Sequence, residues 1–201
     1  WLAHAARDRV GLLGMSDHYV SEAIYLTDPD GHGIEIYRDR PREVWEGKVA
    51  SEMTTEPLDV TSLLGELDDP SSEPFDGLAP GTDMGHVHLQ VADVQDAVGF
   101  YRDLLGFDLM AELFGSAAFF GAGGYHHHVG ANIWHSRGAS PAPEGTARLL
   151  HATIVLPTVE ERDRVAGRVA DAGQEGRAAR RCQHPHQDRY REREPHIRPP
   201  G

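Results

Sequence analysis

A strand-then-helix pattern that occurs twice constrains the fold of this chain more than any other feature. The segment MGHVHLQV (84–91) has the composition of a strand, and Asp93 then begins a helix that ends at Gly106. The segment RLLHATIVLP (148–157) predicts a second strand, and a capping box that starts at Thr158 opens a second helix. FDLMAEL, SAAFFGAGG and YHHHVGANIW supply three strand candidates between the copies. We therefore predict an α+β fold of β-α-β-β-β units, the second of them unfinished.

The flanking regions have different patterns. Residues 1–13 have helical spacing, and two short β-type runs at 22–27 and 33–38 surround a Pro/Gly turn, which predicts a hairpin. Residues 42–83 are rich in proline and acidic side chains, which indicates a linker with one short helix capped by Asp59. Residues 174–201 hold too few apolar side chains to form a core, so we expect a disordered tail. A tail translated in the wrong reading frame is the open alternative.

Charge and composition exclude several classes of partner. The net charge of -13 over 201 residues argues against binding to nucleic acid or to anionic membranes. No apolar run approaches the roughly 20 residues that a membrane-spanning helix needs. The single cysteine, Cys182, fits a reducing compartment, so we expect a cytoplasmic protein. The chain starts at Trp1 and not at Met, and we expect its N-terminal part to be missing.

Three consecutive histidines stand in GGYHHHVGANIW (123–134). If this segment is a strand, successive side chains point to opposite faces. His126 and His128 then share one face with Asn132 and Trp134, and this polar and aromatic face has the character of a cavity wall. His127 is predicted to lie on the opposite, outer face.

These segments together resemble a known family. DHYVSEAIYLTDPDGHGIEIYRDRP (17–41) resembles the closing hairpin of a vicinal-oxygen-chelate (VOC) module, MGHVHLQVADVQDAVGFYRDLLGF (84–107) resembles the opening strand and helix of another, and GGYHHHVGANIW completes it. The chain is similar to the two-domain, catechol 2,3-dioxygenase-like branch of the glyoxalase/bleomycin-resistance/extradiol-dioxygenase superfamily. The resemblance implies paired βαβββ modules that close into a cup. It also implies four parts: the end of a first VOC domain (1–41), a linker (42–83), a second VOC domain with an incomplete last module (84–173) and the tail (174–201).

The resemblance implies a divalent metal in the cup, with Fe(II) expected first and Mn(II), Zn(II) or Ni(II) as alternatives. Two histidine ligands would be His86 and His151, at matching places of the two opening strands. The third ligand of the family, a glutamate on the final strand, has no match because that strand would lie beyond residue 174. Glu35 occupies the corresponding carboxylate place of the first domain, and without an opening strand there we expect it to stand alone.

Other side chains of the expected cup receive supporting roles. His126 and His128 are the candidate catalytic residues, as acid or base near neutral pH. His88 lies two residues after His86, and with Asn132 and Trp134 it is a candidate substrate contact or support for the ligands.

The function that this resemblance implies is an Fe(II)-dependent, extradiol-type ring cleavage of an aromatic diol with O2. A glyoxalase-like isomerase or thiol transferase, a metal-free binding protein of the bleomycin-resistance type, and an inactive fragment remain open alternatives. The expected partners are a small-molecule substrate and O2, with a homo-oligomer as a further possibility.

Overall fold

The computed structural model describes residues 1–174 of the chain. The chain divides into two compact units, residues 1–152 and residues 153–201. The first unit carries two four-stranded sheets, and the described part of the second carries one helix. This mixture of helices and sheets is the predicted α+β class, and it is consistent with the VOC fold.

The helices and strands of the described residues are mostly short. The helices are α1 (Leu2–Arg7), α2 (Arg42–Trp45), α3 (Val49–Glu52), α4 (Val60–Leu64), α5 (Val94–Val98), which continues as a π-helical segment (Gly99–Leu105), and α6 (Val159–Asp171). The strands are β1 (Gly14–Asp17), β2 (Ser21–Thr27), β3 (Gly33–Asp39), β4 (Glu56–Pro57), β5 (Val87–Gln90), β6 (Asp108–Leu113), β7 (Ala117–Gly121) and β8 (Val129–Asn132).

The first sheet has the strand order β3-β2-β1-β4 and contains the predicted hairpin. Strands β2 and β3 are antiparallel, with Tyr25 opposite Glu35 in the register. The Asp28 carboxylate accepts hydrogen bonds from the backbone N–H groups of Asp30 and His32, which fixes the reversal between the strands. The predicted helix at the N-terminus is shorter than expected and ends at Arg7.

The second sheet has the order β5-β8-β7-β6, so the β-α-β-β-β order predicted for residues 84–134 is confirmed. The Asp93 carboxylate accepts hydrogen bonds from the N–H groups of Gln95 and Asp96, as expected for an N-cap. The helical stretch ends at Gly106, whose φ of 90° is in the left-handed region that glycine tolerates. Local capping signals therefore set both ends of this helix.

Strand β7 is the centre of the core because it is buried on both faces. Phe120 packs on one side with Val98 of α5 and Ala131 of β8. Phe119 packs on the other side with Trp45 and with hydrophobic residues of the segment that follows Trp45. A third cluster, formed by Leu2, Ile24 and Leu58, joins α1 to the first sheet.

The segment predicted to be a linker contributes to this core. Trp45 is only 2% exposed and Val49 only 3%, and both pack against Phe119 and Ala117 of β7. The Trp45 Nε1–H donates a hydrogen bond to the Arg40 carbonyl at 2.9 Å. Part of the segment interpreted as a linker (42–83) therefore packs in the core, and Asp59 caps α4 as predicted. The four-part division of the chain stays a prediction.

The strand predicted over residues 148–157 is absent, because these residues have no regular secondary structure. Leu149 and Leu150 are exposed, at 54% and 81%, so this apolar run lacks the neighbouring strand that would bury it. The predicted capping box is present: the Thr158 hydroxyl accepts from the Glu161 N–H at the start of α6. No helix within residues 1–174 is long and apolar enough to cross a bilayer. The predicted disordered tail (174–201) lies, except for residue 174, outside the described part of the chain.

Candidate functional site

A row of three polar side chains on β3 forms one wall of the candidate site. Glu35, Tyr37 and Asp39 alternate along the strand, so they share one face of it. Each of them contacts a residue of the second half of unit 1. Glu35 bonds to His86, the Tyr37 hydroxyl lies 3.0 Å from the Tyr125 hydroxyl, and Asp39 bonds to residues next to β8. The strand pattern thus brings three functional groups to one surface.

The His86–Glu35 pair is the most enclosed part of this site. The His86 Nε2 lies 2.8 Å from Glu35 Oε2, and the two side chains are 6% and 19% exposed. The Tyr25 hydroxyl, on the neighbouring strand, donates to Glu35 Oε1 at 3.1 Å. Burial pushes the pKa of Glu35 upward, but the hydrogen bonds from His86 and Tyr25 outweigh it and hold the pKa below its ordinary value. Glu35 is therefore an ionised carboxylate, and the expectation that it stands alone is wrong.

A second chain of contacts extends this pair towards the surface. The His18 Nε2 lies 2.5 Å from the Tyr25 hydroxyl, and the His18 Nδ1 lies 2.6 Å from the Thr54 carbonyl oxygen. Burial and the nearby Glu35 charge raise the pKa of Tyr25 well above its ordinary value, so the phenol keeps its proton. A continuous series of polar groups thus joins half-buried His18 to Glu35 and His86.

The backbone beside His86 approaches Tyr37 closely. The His86 ring lies 5.0 Å from the Tyr37 ring, centroid to centroid. A side-chain carbon at position 85 would overlap the Tyr37 hydroxyl, so the close approach requires Gly85. The His86 Nδ1 is buried and has no hydrogen-bond partner in the described part of the chain. Such an atom costs about 1–3 kcal/mol of stability and is uncommon in native structures.

The triple histidine does not form the predicted alternating strand. Gly123 and Gly124 have positive φ values of 61° and 71°, which turn the chain, and β8 begins only at Val129. His126 and His127 are both buried, at 0% and 8% exposure, and their Nδ1 atoms lie 2.9 Å apart. The prediction that His127 faces outward is therefore wrong, because the segment is bent and not extended.

His126 and His127 link Asp39 to His86. The His126 Nε2 lies 2.7 Å from Asp39 Oδ1, and the His127 ring lies 4.4 Å from the His86 ring. Burial lowers the pKa of His127 to about 2, with the neighbouring imidazoles of His86 and His126 adding to the effect. His127 is consequently neutral at physiological pH.

The remaining predicted residues lie in different surroundings. The half-buried His128 packs its ring against Phe107 and Tyr125, and its Nδ1 accepts from the Ala122 N–H. Mainly because of burial, its pKa is below the ordinary value. His88 packs its ring on Phe119 and Trp134.

Asn132 and His151 are not part of the His86–Glu35 cluster as described. Asn132 is buried, and its side-chain oxygen accepts from the Trp134 N–H just after β8. His151 is exposed and lies in the segment that forms no strand, and no contact within residues 1–174 joins it to His86. Its role as a ligand stays a prediction.

The sequence assigns no place in the site to five residues that contact it in the structure: His18, Tyr25, Tyr37, Asp39 and Tyr125. The alternation of Glu35, Tyr37 and Asp39 in GIEIYRD was the available signal for two of them. The contacts of this strand with residues 86, 125 and 126 span more than 50 positions, and no local pattern reports them.

Comparisons with known proteins identify the family of this chain. The family model described as "Glyoxalase/Bleomycin resistance protein/Dioxygenase superfamily" matches residues 83–186. The chain is 49% identical over 166 residues to a protein named catechol-2,3-dioxygenase from Bacillus subtilis (strain 168); the match covers 80% of this chain and 56% of that protein. The chain thus spans little more than half the length of this curated relative.

Among solved structures, the chain is similar to the Mn(II)-bound glyoxalase from Novosphingobium aromaticivorans. The identity is 18%, the TM-score is 0.26, and the match covers 86% of this chain and 47% of that one. The family model matches more than half of the present sequence. The chain therefore belongs to the glyoxalase/bleomycin resistance protein/dioxygenase superfamily.

Proposed function

We propose that this chain is part of a metal-dependent, extradiol-type dioxygenase that cleaves the ring of a catechol-like vicinal diol with O2. The observation that carries the proposal is the 49% identity to a protein named catechol-2,3-dioxygenase. Identity at this level over 166 residues supports a shared reaction more strongly than a shared fold does, because one fold serves many chemistries. The cytoplasmic location and the homo-oligomer predicted from sequence belong to the same proposal.

The donor chemistry of the His86–Glu35 pair supports a metal-dependent reaction. An imidazole and a carboxylate are the ligand types of the two-histidine, one-carboxylate centre of non-haem Fe(II) oxygenases. Two neighbouring ligands of one ion, each bound at about 2.1 Å, stand about 3 Å apart. The His86 Nε2 and Glu35 Oε2 are 2.8 Å apart, which suits two adjacent ligand positions.

The described residues do not complete such a centre. Within residues 1–174, no group of three or more His, Cys, Asp or Glu side chains is arranged to hold a metal ion. We propose His86 and Glu35 as two donors and His151 as the third. The ion, expected to be Fe(II) with Mn(II), Zn(II) or Ni(II) as alternatives, would supply a Lewis acid and a binding position for O2.

The residues around the pair have roles that follow from their contacts. Tyr25 donates to Glu35 and keeps the carboxylate ionised and oriented. His127 is neutral, buried and in ring contact with His86, so it can accept a hydrogen bond from a diol hydroxyl near that ring. His126 does not act alone in this proposal, because both its nitrogens face Asp39 and His127. The catalytic role predicted for His128 remains part of the proposal.

The proposal is tested by loading the purified chain with Fe(II) under anaerobic conditions and measuring bound metal and O2 uptake with catechol. We expect about one ion per chain and O2 consumption accompanied by a yellow ring-cleavage product. His86→Gln and Glu35→Gln should each reduce metal occupancy at least tenfold. His135→Gln, the same kind of change at an exposed histidine outside the cluster, is the matched control and should leave occupancy unchanged.

The other outcomes separate the alternatives. Bound metal without O2 uptake would contradict ring cleavage and favour an isomerase of the glyoxalase type. Tight binding of small aromatic molecules without metal would favour a binding protein. Equal metal occupancy in His86→Gln and in the unmodified chain would exclude the proposed donor pair, whatever the activity.

A further inference from the structure

The hydrogen-bonded series Asp39–His126–His127, in which both imidazoles are buried, fixes where the hydrogens lie on the two rings. Asp39 Oδ1 lies 2.7 Å from His126 Nε2, and His126 Nδ1 lies 2.9 Å from His127 Nδ1. The Tyr125 hydroxyl donates to the other oxygen, Asp39 Oδ2, at 2.8 Å. Burial pushes the pKa of Asp39 upward, but the hydrogen bonds from His126 and Tyr125 outweigh it and lower the pKa below its ordinary value. Asp39 is thus an ionised carboxylate that can only accept.

The hydrogen on His126 determines which nitrogen of His127 carries a hydrogen. A carboxylate that only accepts requires a hydrogen on His126 Nε2. In a pair of uncharged rings, His126 Nδ1 would then be bare and would accept from His127 Nδ1–H. The Nε2 of His127 is consequently left without a hydrogen, as a free base.

The intrinsic preferences of the two imidazoles do not select this arrangement. In either arrangement of a neutral pair joined Nδ1 to Nδ1, one ring carries its hydrogen on Nε2 and the other on Nδ1. The ordinary preference for one tautomer over the other therefore cancels between the two rings. The arrangement of the two hydrogens is instead set by Asp39, the group that His126 Nε2 faces.

We propose that Asp39 is a positioning residue that acts through His126 to hold His127 as the Nδ1–H tautomer, with a bare Nε2. The role of this base in catalysis rests on the proposed function, but the tautomer itself does not. Carboxylates that orient a histidine and set its tautomer are a general device of catalytic and metal sites. Here the carboxylate comes from β3 of the first sheet, and the histidines come from the loop before β8. A residue from the first half of unit 1 therefore sets the tautomer of a histidine in the second half.

The test is ¹⁵N NMR of the histidine side chains in the 201-residue chain at pH 8, where a histidine with an ordinary pKa near 6.5 is neutral. His126 and His127 signals are assigned by single His→Gln replacements. We expect at least a tenfold excess of the Nδ1–H form of His127 over the Nε2–H form. An excess of the Nε2–H form in the unmodified chain would overturn the proposal, whether or not any variant folds.

The variants isolate the carboxylate. Asp39→Asn has the same shape, but its amide can either donate or accept, so the tautomer ratio of His127 should move to within about threefold of unity. Tyr125→Phe removes the hydroxyl and keeps the carboxylate, so the Nδ1–H excess should remain. Asp28→Asn is the matched control, because Asp28 also pairs with a histidine, His32, but on an exposed turn. An unchanged ratio in folded Asp39→Asn would also overturn the proposal.

Kinetics separate this inference from the proposed function. In the metal-loaded chain, Asp39→Asn should lower kcat for catechol at least tenfold while KM changes less than threefold. If the unmodified chain has no catechol activity but shows the Nδ1–H excess and the asparagine effect, the proposed substrate is wrong and the positioning of His127 stands.

Discussion

Replacing Trp45 with alanine tests whether residues 42–53 belong to the core or form a solvated linker. The indole is 2% exposed, packs with Phe119 and Val49, and lies 5.4 Å from the His126 ring. A buried tryptophan removes on the order of 200 Å² from water, which at about 25 cal/mol per Å² corresponds to roughly 5 kcal/mol. A compact unfolded state reduces this to about 3–4 kcal/mol. The lost hydrogen bond to the Arg40 carbonyl adds about 1 kcal/mol.

The expected loss of about 4–5 kcal/mol is a large fraction of the stability of a typical domain, about 5–15 kcal/mol. Urea unfolding followed by circular dichroism measures it without relying on tryptophan fluorescence. With a slope of about 2 kcal/mol per molar urea, the midpoint should fall by roughly 2 M. Trp134→Ala is the control, because that side chain is 56% exposed and its removal should cost less than about 1 kcal/mol. Similar urea midpoints for Trp45→Ala and Trp134→Ala would refute the conclusion that residues 42–53 pack in the core.

Three further predictions address the core, the carboxylates and the turn before the histidines. Phe120→Ala should cost about 3–5 kcal/mol in urea unfolding, and Phe114→Ala, at a fully exposed position, less than about 0.5 kcal/mol. The Arg40 guanidinium holds the pKa of Asp17 below its ordinary value, and the His126 and Tyr125 hydrogen bonds do so for Asp39 against the effect of burial. Their ionised forms therefore stabilise the fold above about pH 4, and this stability is lost as the pH falls through the lowered pKa values. The melting temperature of Asp17→Asn should consequently decline less steeply between pH 5 and 3 than that of the unmodified chain. Gly124→Ala combines a positive φ of 71° with a contact of 2.7 Å to Arg42 Nη2, and moving this guanidinium would disturb its hydrogen bond to the Gly123 carbonyl. Thermal unfolding should therefore show a larger loss than for Gly145→Ala, where φ is 82° and the space is open.

The elements that sequence predicted correctly are those whose signals are local. Asp93 caps its helix and Gly106 ends it within one short segment, and Asp28 fixes its hairpin through neighbouring backbone groups. Thr158 likewise caps α6. In each case the side chain and the backbone group that it satisfies are at most four positions apart, so one window of sequence contains the whole interaction.

The errors arose where a partner lies elsewhere in the chain. Residues 148–157 have the composition of a strand, but a strand is stable only beside another strand, and none pairs with this segment in residues 1–174. The proline-rich composition around Trp45 indicated a linker, and only contacts with β7 show that the indole is buried. An extended strand would place His126 and His127 on opposite faces, but the two glycines before them turn the chain with positive φ.

The sequence singles out His86 and Glu35 for separate reasons and gives no sign that the two side chains meet, as they do in the structure. This pair also contains a buried polar atom that lowers the stability of the fold. In the described part of the chain, the buried side-chain atoms without a hydrogen-bond partner are Glu22 Oε2 and His86 Nδ1. The first lies 3.5 Å from the Arg38 guanidinium, whose charge offsets the loss of water. The second has no such compensation, and it belongs to the residue on which the Glu35 and His127 contacts converge. Buried polar atoms without a hydrogen-bond partner destabilise a protein, and they are found mainly at functional sites. This unpaired nitrogen therefore supports the choice of His86 as the functional centre.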